Sequence, residues 1–118
     1  MKILMLIDRL GVGGAESHVI TLTHALVERG HMVHIFAERG AWTKKAEAAG
    51  AICLFPPAKL TGKGFAVTAL STARHLRRLV YHGGYDVLHA HTRRTAFLLR
   101  LVGKPLCCAR VVTCHAKF

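Results

Sequence analysis

The sequence predicts an α/β fold, with a Rossmann-like, doubly wound and mostly parallel sheet of about five strands and about four helices. Short apolar runs alternate along the chain with segments whose apolar residues recur at helical spacing. Glycine or proline separates most of these segments. Strands that alternate with helices are joined by right-handed crossovers, which give a parallel sheet covered on both faces. The length of 118 residues fits one domain.

The first four elements are indicated by a change of period along the chain. Residues 3–7 form a continuous apolar run, typical of a strand buried on both faces. Residues 15–29 carry apolar side chains at three-and-four spacing and predict a helix that Gly30 ends. The alternating residues 32–37 predict a second strand, and residues 43–49 predict a short helix.

The remaining elements repeat this alternation. Residues 51–55 and 86–91 predict the third and fourth strands, and residues 109–115 the fifth. Helices are predicted for residues 65–81 and 92–102, each followed by glycine. Ligands of such sheets bind at the carboxyl ends of the strands, so the loops that follow the strands are the places to search for a site.

A cluster of glycines follows the first strand, in the stretch RLGVGGAESH that spans residues 9–18. Unpaired N–H groups and the helix dipole favour an anion at this position. The cluster therefore predicts either a phosphate contact or a tight turn without a ligand. A dinucleotide fingerprint that starts at Gly11 would need glycine where Glu16 stands, but Glu38 ends the second strand where a ribose-binding acid would lie. A nicotinamide-binding domain stays an alternative.

The chain is strongly basic, with 17 Lys and Arg against 6 Asp and Glu and a formal net charge of +11. Such a charge attracts nucleic acid, nucleotides or anionic membranes. Aromatic residues make up only 7% of the chain, and no nucleic-acid-binding module is visible. We therefore expect no specific nucleic-acid partner.

The helix predicted for residues 65–81 concentrates part of this charge. Its apolar face is predicted to consist of Val67, Leu70, Ala73, Leu76 and Val80. Arg74, Arg77 and Arg78 lie mostly off that face and form either a solvated surface or a membrane-facing one. Each basic residue near an anionic membrane contributes about 1 kcal/mol.

Cysteine usage and hydropathy indicate a cytoplasmic protein. Cys53, Cys107, Cys108 and Cys114 have no CxxC spacing, so buried free thiols are expected. No apolar run approaches the ~20 residues that span a bilayer, and the first is too short for a secretory signal. His89, His91, Cys114 and His115 fall near strand ends without the spacing of a closed zinc site, so no metal is expected.

Three motifs in order resemble family 4 glycosyltransferases, which are retaining nucleotide-sugar enzymes with two Rossmann-like domains (the GT-B architecture). GVGGAESHVITLTHALVERGHMVHIF contains a G-G-A-E turn and an R-G-H helix end. YDVLHAHTRRTAFLLRL is similar to the family's D-V-[IV]-H-A-H-[ST] strand and helix, and VVTCHAKF to its T-x-H segment. The resemblance covers nearly the whole chain.

This resemblance implies roles for particular residues. Gly13 and Gly14 would face the donor diphosphate, and His115 would contact the transferred sugar near the reacting centre as the catalytic residue. The acceptor side of the cleft would be lined by Arg9, His91, Arg93 and Arg94. The leaving phosphate would be stabilised by N–H dipoles and cations, and no metal or cofactor is expected.

The family's second domain carries most of the donor pocket, including an E-x7-E motif that these residues do not supply. Residues 1–118 are therefore expected to be the N-terminal, acceptor-side domain, inactive alone and completed by a donor domain. The expected acceptor is a lipid-linked or cell-envelope glycan, with peripheral attachment to the inner face of the cytoplasmic membrane. A non-catalytic remnant, or a split-enzyme module that needs a partner chain, is the other interpretation.

Overall fold

The computed structural model describes residues 1–103 and 109–113. Within them, strands and helices alternate as the sequence predicts, with five strands and four helices. The elements are β1 (Lys2–Arg9), α1 (Gly14–Glu28), β2 (Met32–Glu38), α2 (Thr43–Ala48), β3 (Ile52–Leu54), α3 (Phe65–Gly83), β4 (Val87–Ala90), α4 (Arg93–Val102) and β5 (Ala109–Val112). The prediction of an α/β Rossmann-like fold is confirmed.

All five strands lie in one parallel sheet, in the order β3-β2-β1-β4-β5. The chain moves outward from β1 to β3 and then crosses back to place β4 on the other side of β1. This reversal between β1 and β4 makes their carboxyl ends the topological switch point, where a crevice opens in doubly wound sheets.

Two apolar layers cover the sheet, and β1 contributes to both. Leu4 and Leu6 pack with side chains of α3 and α4, whereas Met5 and Ile7 pack with side chains of α1 and α2. All of residues 3–7 are buried, as the apolar run predicts. Fully burying a large apolar side chain contributes about 1.5–3 kcal/mol, so this strand anchors the molecule from its centre.

The buried face of α3 differs from the predicted one at its amino-terminal half. Val67 and Leu70 are 86% and 59% exposed, so their assignment to the core was wrong. The residues that face the core are Ala69, Thr72, Ala73, Leu76 and Val80. Small side chains at positions 69 and 72 take the place next to the sheet, and the larger apolar side chains lie on the solvent side.

No helix within the described residues is both long and apolar enough to cross a membrane.

Candidate functional site

A cleft of about 520 Å³ opens at the carboxyl end of β1, at the switch point of the sheet. Its walls come from the end of β1, the turn that follows it, the first turn of α1, and single residues of three further loops. The lining residues are Ile7, Asp8, Arg9, Gly11, Val12, Ala15, Glu16, Ala41, Thr61 and Thr92. The cleft thus lies where the fold class predicts a ligand.

The strand β1 carries an irregularity at the edge of this cleft. Leu6 pairs with Phe36, but the next pair is Arg9 with Glu38, so β1 has one residue more than β2 over this stretch. A bulge of this kind bends a strand and changes the direction of a side chain, and such bulges are frequent next to active sites. Asp8 lies within it.

Gly13 is the N-cap of α1, and Gly14 is the first residue of that helix. Gly13 has an extended backbone, with φ of 171°, and a Cβ placed there would lie 2.9 Å from Oε1 of Glu16. A Cβ on Gly14 would meet no heavy atom within 4 Å. The group that lies over this turn is therefore the Glu16 carboxylate.

Gly40, in the loop after β2, is a glycine near the cleft whose lack of a side chain the packing requires, and sequence reasoning missed it. A Cβ there would lie 2.2 Å from the carbonyl oxygen of Leu10 and 2.8 Å from the amide nitrogen of Gly11. The Trp42 amide donates a hydrogen bond to that same Leu10 oxygen at 2.9 Å. The loop after β2 thereby fixes the glycine turn. The available signal was a glycine just after a strand, at the edge where ligands bind.

Asp8 joins the ends of the two central strands. Its Oδ1 accepts a hydrogen bond of 2.8 Å from the Thr92 hydroxyl, which also caps α4 by accepting from the Thr95 amide at 3.2 Å. Burial raises the pKa of Asp8, and the Thr92 hydrogen bond and the charge of Arg94 offset part of that rise. Asp8 is thus a desolvated carboxylate in the wall of the cleft.

Glu38 binds the loop between β3 and α3. Its Oε2 accepts from the amides of Leu60 and Thr61, at 3.1 and 2.8 Å, and from the Thr61 hydroxyl at 2.7 Å. This loop residue, Thr61, lines the cleft. The geometry favours a structural role for Glu38 over the ribose contact that a nicotinamide-binding domain would need.

The predicted acceptor-side residues are dispersed. Arg9 lines the cleft and donates from Nε to the Arg39 carbonyl at 3.3 Å. Arg94 donates to the Leu60 carbonyl at 2.7 Å, which holds the loop from the side opposite Glu38. Arg93, at the start of α4, is exposed. Of these three arginines, only Arg9 is part of the cleft wall.

His91 lies on the α1 side of the sheet and is only 1% exposed. Its ring stacks on that of His89 at a centroid distance of 3.9 Å, and it lies 5.8 Å from the ring of His18 on α1. His89 also contacts the Thr113 hydroxyl at 2.6 Å through Nε2. No group of three or more potential metal ligands occurs among the described residues. His115 and Cys114 lie outside these residues, so the catalytic role of His115 stays a prediction.

A separate shallow cleft of about 410 Å³ lies on the exposed face of α3. It is lined by Arg74, Arg77, Arg78, Tyr81 and His82. The Arg77 guanidinium lies 5.3 Å from the centroid of the Tyr81 ring, a cation–π contact. The three arginines of the predicted membrane-facing surface are exposed and share this cleft.

A model of the family described as Glycosyltransferase Family 4 matches residues 12–118. The chain belongs to Glycosyltransferase Family 4. The matched residues include Gly13 and Gly14, the strand β4 and the arginine-rich helix α3. No curated protein matches the sequence.

Two solved structures share the fold at low sequence identity. A glycosyltransferase from Rickettsia africae ESF-5 matches with a TM-score of 0.76 and 17% identity, over 99% of this chain and 30% of that one. The C-terminal domain of a hydrogenase from Pyrococcus furiosus matches with a TM-score of 0.61 and 16% identity, over 94% of this chain and 89% of that domain. This member of the family therefore spans less than a third of the length of the glycosyltransferase it matches.

Proposed function

We propose that this chain is the N-terminal, acceptor-side domain of a glycosyltransferase that uses a nucleotide sugar and a lipid-linked or cell-envelope glycan acceptor. The observation that carries the proposal is the cleft at the switch point, which combines the end of β1 with residues inside the match to Glycosyltransferase Family 4. A donor domain, on the same polypeptide or on a partner chain, completes the cleft. The chain alone is inactive.

The proposed reaction breaks the bond between the anomeric carbon of the donor sugar and the diphosphate. Negative charge develops on the leaving phosphate, where N–H groups and cations stabilise it. In this proposal Gly13 and Gly14 lie on the diphosphate side, and His115 orients the transferred sugar. Arg9 borders the acceptor in the cleft wall, and His91, Arg93 and Arg94 support the acceptor side from outside that wall. No metal takes part.

The test is a transfer assay on two matched preparations, with labelled nucleotide sugars and polyprenyl-phosphate-linked acceptors. The first is the 118-residue chain, and the second is the same chain joined to a donor domain encoded downstream of Phe118 or supplied by a co-purifying partner. We expect transfer only by the second preparation, and its loss in His115→Ala. Transfer by the chain alone contradicts the proposed inactivity. A completed preparation without transfer contradicts the function and favours a non-catalytic module.

We propose further that the protein is cytoplasmic and attaches peripherally to the inner face of the cytoplasmic membrane through α3. Three exposed arginines, Arg74, Arg77 and Arg78, lie on one side of this helix with two exposed apolar residues, Val67 and Leu70. Basic residues attract anionic headgroups, and the apolar side chains reach the boundary of the acyl region.

A further inference from the structure

The cleft is acidic, although the chain is strongly basic. Asp8 and Glu16 line it, and Arg9 is the cation in its wall. Arg9 is exposed and donates to the Arg39 carbonyl, so its guanidinium is drawn toward the neighbouring loop. Arg94 weakly offsets the charge of Asp8, but its guanidinium is hydrogen-bonded to the Leu60 carbonyl. The charge that a ligand meets in this cleft is therefore negative.

Asp8 has hydrogen-bonding capacity that the described part of the chain does not use. Its Oδ1 accepts from the Thr92 hydroxyl at 2.8 Å, which fixes the orientation of the carboxylate. Its Oδ2 accepts no hydrogen bond from the described residues. The bulge in β1 places this half-buried carboxylate in the cleft wall. A carboxylate held in this way accepts short, charge-assisted hydrogen bonds from hydroxyl groups.

Glu16 adds a second negative charge on the side of the glycine turn. Its two carboxylate oxygens lie 2.9 and 3.3 Å from where a Cβ on Gly13 would stand. A phosphate bound at this turn would therefore lie close to the Glu16 carboxylate. Like charges repel, so a phosphate on the acceptor sugar is disfavoured in this cleft while Glu16 keeps this position, and the donor diphosphate proposed to lie at Gly13 and Gly14 needs the Glu16 carboxylate to turn away.

We propose that this cleft selects an uncharged sugar unit of the acceptor and rejects a phosphorylated one, with Asp8 accepting a hydrogen bond from a sugar hydroxyl. The inference rests on the proposed acceptor-side function and narrows it to a substrate class. Asp8 is then a specificity-determining residue, and Glu16 reinforces its discrimination against phosphate.

The test compares neutral sugars with their own phosphates. The ¹⁵N-labelled 118-residue chain is titrated with glucose, mannose and N-acetylglucosamine, and separately with the 6-phosphate of each. We expect at least one neutral sugar to shift the amide signals of Gly11, Val12 and Thr61, and its phosphate to bind about tenfold more weakly or worse. We expect Asp8→Asn to weaken binding of the neutral sugar and to remove most of the difference in affinity between the sugar and its phosphate, because the amide keeps the Thr92 contact but not the charge.

Two further variants keep the result interpretable. Glu47→Gln removes an exposed carboxylate on α2 and leaves both affinities unchanged. Glu16→Gln strengthens binding of the phosphorylated sugar, and it carries the test if Asp8→Asn does not fold.

Three results overturn the inference. They are equal or tighter binding of a sugar phosphate by the unmodified chain, an unchanged ratio in both cleft variants, and no shift of cleft amides with any neutral sugar. The proposed function fails separately. Neutral-sugar binding in the cleft, combined with no transfer by the completed enzyme, contradicts the transferase proposal and leaves the charge selectivity standing.

Discussion

At the scale of single residues, two glycines near the cleft differ in what their backbones face. Gly40 lies against the backbone of Leu10 and Gly11, which cannot move without distorting the turn. Gly14 has open space where a Cβ would stand. The glycine-rich motif in the sequence therefore does not identify which glycine the packing requires.

We predict that Gly40→Ala destabilises the fold by about 1–3 kcal/mol or more, because overpacking against backbone forces the two loops apart. Gly14→Ala is the matched control and is expected to be neutral or slightly stabilising, since alanine is the better helix former. Urea denaturation of both variants measures the difference. A loss in Gly14→Ala as large as that in Gly40→Ala would show that the turn tolerates no side chain at either position.

The half-buried carboxylate of Asp8 gives the stability of the fold a defined dependence on pH. Its folded-state pKa is raised above 3.8, so the folded state holds this proton more tightly than the unfolded state. The contribution of Asp8 to stability is therefore favourable at low pH and is lost as pH rises through the raised pKa. We predict that Asp8→Asn is more stable than the unmodified chain at neutral pH, and that this advantage disappears below about pH 4.

Thermal denaturation between acidic and neutral pH checks this prediction, with Glu47→Gln as the exposed control. An Asp8→Asn variant that is less stable than the unmodified chain at neutral pH would show that the Thr92 bond outweighs burial of the charge. A stabilising Asp8→Asn would instead identify a carboxylate kept at a cost to the fold, as functional groups often are.

At the scale of elements, the loop between β3 and α3 is held in place by side chains of β2 and α4. Glu38 at the end of β2 binds its amides, and Arg94 at the start of α4 binds the Leu60 carbonyl. Leu60 itself is fully buried in the core. This loop therefore forms a fixed wall of the cleft, with Thr61 on its inner side.

We predict that Glu38→Ala destabilises the fold by about 1.5–3 kcal/mol, since a charged acceptor of three hydrogen bonds is lost from a partly buried place. Amide hydrogen exchange at Leu60 and Thr61 should accelerate more than exchange in β1. Glu28→Ala, an exposed carboxylate on α1, is the control. Unchanged exchange at both amides would mean that Arg94 and the burial of Leu60 hold the loop without Glu38.

The exposed surface of α3 is the surface proposed to bind anionic membranes. Replacing Arg74, Arg77 and Arg78 together by Gln should lower affinity for anionic vesicles about 100-fold, since each basic residue contributes about 1 kcal/mol. Flotation with phosphatidylglycerol-containing and neutral vesicles measures this change in affinity. The control replaces Arg29, Lys44 and Lys45, which are also exposed and lie at the end of α1 and on α2, on the opposite side of the sheet. Equal losses in both triple variants would show that net charge, not α3, determines binding.

At the scale of the whole molecule, the order and type of the helices and strands could be predicted from the sequence, because the patterns that indicate them are local. The apolar run of β1 and the glycines that follow helices are visible within a few residues. The contacts that build the cleft are not local. Asp8 meets Thr92 and Arg94 meets Leu60 across 84 and 34 positions, and neither pairing follows from periodicity.

The same limit explains the error on α3. A pattern of apolar residues favours large side chains such as Leu70 as core positions, whereas the packing of α3 on the sheet and α4 places Ala69 and Thr72 inside. Only the tertiary arrangement decides which of two neighbouring helical stripes is covered. The function-bearing roles of Gly13, Gly14 and the arginines stay predictions, since they depend on a ligand and a second domain.

The placement of β4 beside β1 also sets the order in which the molecule can assemble during synthesis. Strands β1, β2 and β3 and helices α1 and α2 lie within the first 54 residues, so this half of the sheet can pair early. Ile3 meets its other neighbour, Val87, only after most of the chain has left the ribosome. The wall that contains Thr92 is therefore added late, and the edge of β1 that pairs with β4 stays unpaired until then. Long-range pairing of this kind slows folding.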